Sequence, residues 1–358
     1  MDGFAPLCQD DAVADTEPYT LVIISYNHAD TLPACLKAVA SLDPAPAHVI
    51  VIDNASDDGS AEVATAHAAT AHAAGPPVEV IREDRNTGFA AAANRGIRSS
   101  GTPWILLLNP DCAPHSDMVG RLFAALAVCS DPSRVAVLTP RLMRAAGPDL
   151  APAQILDAAG MMVTRSGRHF DRGAGTTDTV ACGRTAWVFG GTGAAALYRR
   201  RALDDVAYPE SEFFAETFFA YREDAELAWR FQLRGWRCLY EPEATASHRR
   251  GFRPEEGRRG HRDINRYSVR NRFLLRAHCA DTGWLLRCLP WWLGRDLLVV
   301  GACLTVERQS LPGLVDAWRL RGDALRKRRW VLGRRTVSGR RMARWFRKQG
   351  WVEEVEVP

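Results

Sequence analysis

No two cysteines stand in a CxxC arrangement, although nine cysteines are spread along the 358 residues. That absence removes the zinc-ribbon and dithiol-redox classes. Several cysteines sit inside apolar runs (Cys35, Cys129, Cys303), where a reduced, buried thiol is expected. No apolar run reaches the roughly eighteen residues that a spanning helix needs. The nearest, Leu297 to Val306, is ten residues long. The first seventeen residues are acidic and carry no basic-then-apolar signal pattern, so residues 1–18 are expected to be a disordered leader on a cytoplasmic chain. No GxGxxG accompanies the early strand-like runs, which argues against a dinucleotide-binding site. Acids are almost missing from one region. Between Arg319 and Lys348, thirteen bases meet only Asp323, which leaves the rest of the chain at a net −8 within an overall +4. An acidic body carries a basic tail.

What is present is ordinary for a globular protein: 47% hydrophobic and 25% charged residues, in a length that fits one large α/β domain with an appendage, or two domains. Leu21 to Ile24, Val49 to Ile52 and Val78 to Ile81 read as buried strands. Between them, Asp30 is placed to cap a helix whose Leu32, Cys35, Leu36 and Val39 fall at i, i+3, i+4 and i+7, and a second, alanine-rich helix spans about Ala61 to Ala74. A small-residue helix follows Asn86-Thr87-Gly88-Phe89. Trp104 to Leu108 is then five apolar residues closed by Asn109-Pro110-Asp111. Strand and helix alternate as in a parallel sheet with crossover helices. After Pro140 the pattern loosens. Ile155 to Val163, Trp187 to Phe189, Trp236 to Tyr240 and Ala244 to His248 read as strands, and a helix covers about Arg222 to Arg234 with Gly235 as its stop.

The polar residues gather after the strands, and each admits two readings. Asn109-Pro110-Asp111 is either a turn or the place where Asp111 holds a cation against a diphosphate. Asp53 and Asp57 either close an Asx-turn or accept hydrogen bonds from a base or ribose. The segment from Gly88 to Gly96 permits close approach of a neighbouring element or of a phosphate. Gly190-Gly191-Thr192-Gly193 is a bend between strands or a surface for a sugar. Glu223, Asp224 and Glu226 suit the positive end of a helix whatever else they do. The aromatic run before them would raise a carboxylate's proton affinity toward that of a general base. His248 is either structural or a metal ligand.

Taken in order, these segments resemble a family 2 inverting glycosyltransferase, closest to the rhamnosyltransferase-like members. The matching residues are Val22 to Asn27, Asp53 to Ser60, Asn86 to Ala90 with Asn94 and Gly96, Leu108 to Asp111, Gly190-Gly191 with Arg199 to Arg201, Phe219 to Asp224 with Leu227, Trp229, Arg230 and Gly235-Trp236, His248, and Arg270-Asn271. The resemblance implies a GT-A fold, a mostly parallel central sheet flanked by helices, over residues 19–275. Residues 276–358 would form a helical, basic extension. It implies a nucleotide-diphosphate sugar held by Ser25, Asn27, Asp53, Asp57, Asn86, Gly88, Asn94, Asn109 and Asp111, and a divalent cation (Mg²⁺ or Mn²⁺) on Asp111 and His248. Asp224 would be the catalytic base with Glu223 beside it, and Gly190, Gly191, Phe219 and Tyr221, with Phe218, would line the acceptor side. Asn109 departs from the pattern, since many members have Asp there, and leaves Asp111 as the only acid of the motif. The QxxRW motif of processive synthases is absent, which favours addition of one sugar to a saccharide or lipid-linked acceptor in cell-envelope or polysaccharide synthesis.

Two other functions are weighed against this one. A sugar-nucleotide nucleotidyltransferase would need a glycine-rich, basic loop after its first strand, where this chain has Ser25-Tyr26-Asn27-His28. A non-enzymatic membrane or nucleic-acid binding protein would explain the tail but not the ordered carboxylates of an acidic body, so no nucleic acid is expected. Trp284 to Val306, apolar but broken by Arg287, Arg295 and Asp296, followed by the basic tail, suits peripheral contact with the inner face of the plasma membrane. It equally suits a helical cap with a solvated end.

Overall fold

The computed structural model describes residues 16–71, 75–177, 180–250, 262–346 and 353–354. The chain runs β1 (Tyr19–Ser25), α1 (Leu32–Ala40), β2 (His48–Asp53), α2 (Ser60–Ala71), β3 (Val78–Arg82), α3 (Phe89–Ser99) and β4 (Trp104–Leu108). It continues through β5 (Cys112–Pro114), α4 (Met118–Val128), β6 (Val135–Ala146), β7 (Ala151–Ala158), β8 (Met161–Val163), β9 (His169–Asp171), β10 (Ala186–Val188) and β11 (Ala195–Arg199). Then come α5 (Arg200–Val206), α6 (Glu223–Arg234), β12 (Arg237–His248), α7 (Arg262–Cys279), α8 (Thr282–Arg287), α9 (Leu289–Leu304), α10 (Leu311–Arg319), α11 (Arg321–Gly333), α12 (Gly339–Met342) and β13 (Glu353–Glu354).

The main sheet has the order β13-β10-β12-β6-β11-β4-β1-β2-β3, with β5 joined to β12 and β7 to β6. Strands β3, β2, β1 and β4 are mutually parallel, as are β6 and β12, while β11 lies antiparallel between β4 and β6. This is an α/β fold with helices on both faces of a central sheet. Every residue of β1 and β4 is buried, because both faces of a strand in such a sheet are covered. Successive side chains serve different cores. Leu21, Ile23, Leu106 and Leu108 join Leu32, Cys35 and Leu36 of α1 and Leu122 of α4 on one face. Val22, Ile24, Ile105 and Leu107 join Ala90, Ala93 and Ile97 of α3 on the other. The small residues of α3 are explained by that packing, since a Cβ on Gly96 would lie 2.4 Å from Val22 Cγ1.

Several expectations change. Asp30 does not cap α1: the N-cap is Thr31, without a side-chain bond, and the Asp30 carboxylate instead accepts from Arg249 at 2.7 Å. The strands expected at Trp236–Tyr240 and Ala244–His248 are one strand, β12, with an irregularity between Glu241 and Thr245 that lets it pair with β6 along its length. The run from Ile155 to Val163 is two strands, parted at Ala159–Gly160. Residues 72–74, the end of the expected second helix, and most of the leader lie outside the described residues. A boundary at residue 275 falls inside α7, and the chain beyond it is laid onto the domain. Phe346 packs against Phe189 and Trp229, Trp284 against Trp229, and β13 pairs with β10 in the main sheet. The eight cysteines among the described residues are all buried.

The two kinds of leucine in this chain should behave differently. Leu106→Ala, at a fully buried position, should cost about 2–5 kcal/mol in urea denaturation. Leu298→Ala, on a residue 68% exposed, should stay within about 0.5 kcal/mol of the parent. Equal effects would contradict the assignment of inside and outside.

Candidate active site

Because β1, β2, β3 and β4 are parallel, their carboxyl ends open on one edge, where open α/β sheets bind ligands. The loops that leave β1 and β2 are laced together. Asn27, held at φ 58°, accepts from the Asp57 amide at 3.0 Å, and its own amide donates to Ser56 Oγ. The His28 and Ala29 amides donate to Ser60 Oγ and to the Asp58 carboxylate. Asp53 makes the expected Asx-turn, accepting from the Ser56 amide at 3.1 Å, yet its second carboxylate oxygen is buried with no protein partner. The Ser25 hydroxyl is buried and unpartnered too. Two orphaned polar groups at neighbouring strand ends are what a bound polar ligand would satisfy. Asp57 stands exposed at the rim.

Asp111 follows β4 and is buried, with Oδ1 lacking an aligned hydrogen bond and His248 Nε2 3.4 Å away. The other ring nitrogen of His248 lies 2.8 Å from Asp157 Oδ2. Burial alone would lower the imidazole's pKa, but the hydrogen bonds and charges of Asp111 and Asp157 raise it to about 9. Burial pushes the Asp111 carboxyl up, and the imidazole more than offsets this, holding it below the usual range. A carboxylate behind the histidine is the arrangement that orients a metal-ligating imidazole. The two carboxylates that favour a proton on the ring would equally favour a cation beside it. Among the described residues no group of three or more His, Cys, Asp and Glu side chains is placed to hold a metal alone. Asp111 and His248 would give a cation two ligands, and phosphate oxygens and water would have to supply the rest, as is usual for Mg²⁺. Beyond them, Arg250 binds Asp157 at 3.3 Å and Asp171 of β9 at 2.5 Å.

At the start of α6 the acids stand as expected. Asp224 is half-buried, accepting from the Gly193 amide at 3.2 Å and from the Ala225 amide at 2.7 Å. Burial, and then the charge of Asp171, raise its pKa to about 6 despite those two amides. Glu223 is buried, and burial with the neighbouring Asp224 charge pushes its carboxyl well above the usual range. The segment before them is strained, since Phe219, Tyr221 and Arg222 all have φ between 63° and 73°. Asn271, fully buried on α7, holds it by donating to the carbonyls of Phe218, Ala220 and Tyr221 at 2.9, 2.8 and 2.7 Å. Arg270 donates to the Phe218 carbonyl as well.

Not every expected site residue reaches the opening. Asn94 is fully buried, its amide spent on both backbone groups of Phe214 and on Glu216, so it fastens α3 to the aromatic segment. Asn86 accepts from Asn54 and from the Gly88 amide, shaping its loop. Gly88 makes room for Phe219, whose ring would lie 2.5 Å from an added Cβ. Gly190 and Gly191 are buried against Ala228 and Val137, and the member of that loop that touches a site carboxylate is Gly193. Phe218 is wholly buried against His278 and lines nothing, whereas Phe219 is stacked on Tyr267 and Tyr221 is 42% exposed. Asn109 sits half-buried, its amide bonded to the Ala194 carbonyl. Sequence reasoning missed Asp157, Asp171 and Arg250, and it took Gly193 only as part of its glycine loop. Asp157 had a signal, an acid inside the apolar run Ile155 to Ala159, because such an acid is rarely buried without a partner.

Residues 20–207 match the family model for glycosyl transferase family 2, more than half of the chain. Over 112 residues the chain is 35% identical to glycosyltransferase AglE of Haloferax volcanii, a match covering 30% of this chain and 36% of that one. Over 232 residues it is 24% identical to poly-beta-1,6-N-acetyl-D-glucosamine synthase of Staphylococcus aureus, covering 64% and 49%. The matches thus span half or less of these relatives. Among solved structures, GalNAc-T7 with UDP, GalNAc and Mn²⁺ superimposes with a TM-score of 0.57 at 14% identity, over 76% of this chain and 50% of that one. S. aureus TarS 1–349 in complex with UDP-GlcNAc does so with a TM-score of 0.50 at 15% identity, over 88% and 90%. These likenesses show the GT-A fold.

The hold of Asn271 on the strained segment is open to test by denaturation. Asn271→Ala should lose about 1–3 kcal/mol, the cost of leaving buried carbonyls without a donor. Asn271→Asp, nearly the same shape but with acceptors facing carbonyls, should lose at least as much. A tolerated aspartate would mean that the amide does not make these bonds.

Proposed function

We propose a reaction for this chain, which belongs to glycosyl transferase family 2: it moves one sugar from a nucleoside-diphosphate sugar to a hydroxyl of a saccharide or lipid-linked saccharide, with inversion at the anomeric carbon. The observation that carries this reading is Asp224. It is a half-buried carboxylate raised toward neutrality, fixed by two backbone amides, in the same molecule as a second acidic centre at Asp111. In this reading Asp224 accepts the proton of the acceptor hydroxyl as that oxygen bonds to the anomeric carbon, and the bond from that carbon to the diphosphate breaks. Burial and the charge of Asp171 keep the base's proton affinity high, with Glu223 beside it. The orphaned oxygens of Asp53 and Ser25 receive the nucleoside, with Asp57 and Asn27 at its rim. A divalent cation on Asp111 and His248 would neutralise charge on the departing diphosphate. Support for the donor class and the cation comes from the solved structures of the same fold, which hold UDP with Mn²⁺ or UDP-GlcNAc. Support for a place in envelope or polysaccharide synthesis comes from the poly-N-acetylglucosamine synthase relative. Rhamnose is one donor to test, and a panel of UDP-, GDP- and dTDP-sugars scored by nucleotide release tests the whole reading. Its place of work in this reading is the cytoplasmic face of the plasma membrane.

Two substitutions separate the roles. Asp224→Asn should lower kcat at least ~10²-fold with donor binding nearly unchanged. The wild-type rate should rise with pH through about 6, where the carboxylate loses its proton, and that limb should vanish in the variant. Because the buried charge disfavours the folded state above its unfolded pKa, Asp224→Asn should not lower the thermal midpoint at pH 7. Near-normal turnover by the variant would remove Asp224 from the chemistry.

Chelation tests the other end. EDTA should abolish transfer and Mn²⁺ or Mg²⁺ restore it. Asp111→Ala should raise the cation concentration needed for donor binding in calorimetry steeply, and His248→Ala less, since the imidazole supplies no neutralising charge. Full activity in chelator would take the cation out of the mechanism.

A further inference from the structure

Helix α9 is built the wrong way round for a helix resting on a soluble core. Only Asp296 and Cys303 of its sixteen residues are buried. Its inward stripe is Trp292, Asp296 and Cys303, at i, i+4 and i+11. The Asp296 carboxylate accepts from Arg272 Nε and Arg276 Nη1 of α7, both at 3.0 Å. The Trp292 indole donates to the Leu285 carbonyl. The large side chains left outside are mostly leucine, with Leu289, Leu293, Leu297, Leu298 and Leu304 between 40% and 68% exposed and Trp291 45% exposed, and the one other charged residue of the helix, Arg295, is half-buried. A surface helix ordinarily puts its apolar stripe toward the core and its charges toward water. Here the acid is taken inward and neutralised by two arginines, and the leucines are left outside.

We propose that the outward face of α9 inserts into the headgroup–acyl boundary of an anionic lipid surface, with α9 lying in the plane. Three observations select lipid over other occupants. No helix among the described residues is long and apolar enough to cross a membrane alone, and α9 turns through 108° into the following helical segment, so the two do not form one straight span. The helices that flank and follow it carry exposed bases, among them Arg287, Arg308, Arg321 and Arg329, which complement negative headgroups. Exposed Trp291 and Trp318 add the amphipathic rings that settle at such boundaries. The bases available for this are fewer than the sequence suggests. Lys327 binds Glu212, Arg335 binds Asp281, and Arg328 donates to the carbonyls of Ala277 and Ala280, so those side chains fasten the cap to the body. The inference is independent of the catalytic reading, for none of these residues belongs to the Asp111 or Asp224 centres.

The test is flotation of the full chain, without donor, with vesicles of phosphatidylcholine alone and of phosphatidylcholine with phosphatidylglycerol at 3:1. Sedimentation velocity and tryptophan quenching by brominated lipid accompany it. The expected result is binding to the anionic vesicles that weakens between about 0.1 M and 1 M salt, where the Debye length falls from about 10 Å to about 3 Å, with a salt-resistant remainder. Arg321→Glu with Arg329→Glu should reduce binding roughly 10-fold or more at the lower salt and little at the higher. Leu297→Asp with Leu298→Asp should remove the remainder with an unchanged thermal midpoint. Bromolipid quenching should drop in Trp291→Phe, a reading that does not depend on the charged variants. Absence of binding to both vesicles overturns the proposal, as does binding untouched by the leucine changes. Self-association that those changes abolish, without vesicle binding, would assign the face to a second copy of the chain and likewise overturn it.

Discussion

The ion pair between Glu226 and Arg230, one turn apart on α6 and both fully buried, is the contact on which the active-site half of the molecule depends. Arg230 reaches Glu226 at 2.8 Å and donates to the carbonyls of Val206 and Phe213, which bracket the irregular stretch before the aromatic segment. Glu226 also accepts from Tyr208 and stands 3.2 Å from His278 of α7. Three parts of the chain thus converge on one carboxylate. Burial would raise its pKa, but the Arg230 charge and the hydrogen bonds hold it at about 2. A pair with a depressed carboxylate adds stability above the ordinary carboxylate range and loses it as the pH falls toward 2. Removing one partner of such a pair typically costs about 3–5 kcal/mol, because the other charge is left buried alone. That cost falls on the helix whose first turn carries Glu223 and Asp224.

The parallel half was legible because its physics is local. A strand buried on both faces must be a continuous apolar run, and a helix over a sheet must repeat its apolar residues every three or four positions. Both rules are met at β1, β4 and α1. The loops were legible as polar clusters at strand ends. What their residues do was not, because a polar side chain's role depends on its partner, and partners lie far off in sequence. Asp30 has the composition of a helix cap, yet Arg249, 219 residues away, takes its carboxylate. Asn94 looks like a ligand residue in a small-residue helix, but its amide is spent on Phe214, 120 residues on. Asp157 and Arg250 join the Asp111 and His248 centre only because β7 and β12 both pair with β6.

The same distance effect governs the charges. The tail reads as thirteen bases against one acid because the acids that meet several of them are elsewhere. Glu212 lies beside Tyr208, Asp205 ends α5 and binds both Arg234 and Arg334, and Asp281 caps α8 while binding Arg335. The negative body and the positive tail partly answer each other across the fold. A net charge per segment says how a chain is attracted to partners only after these internal pairs are removed.

Strain and electrostatics meet at one place, the junction of the aromatic segment with α6. Three residues with positive φ in the span from Phe219 to Arg222 would not persist in isolation, each costing on the order of 1–3 kcal/mol. They persist because Asn271 and Arg270 supply donors from α7 and because Ala90 at the start of α3 donates to the Phe219 carbonyl. The turn so forced delivers Asp224 to the Gly193 amide and sets Glu223 behind it. A relaxed turn would let the acids swing toward water, where their pKa values would fall to the ordinary range and their strength as bases with them. The strained backbone is therefore what keeps Asp224 where burial can raise its proton affinity, and α7 is the element that holds the strain in place.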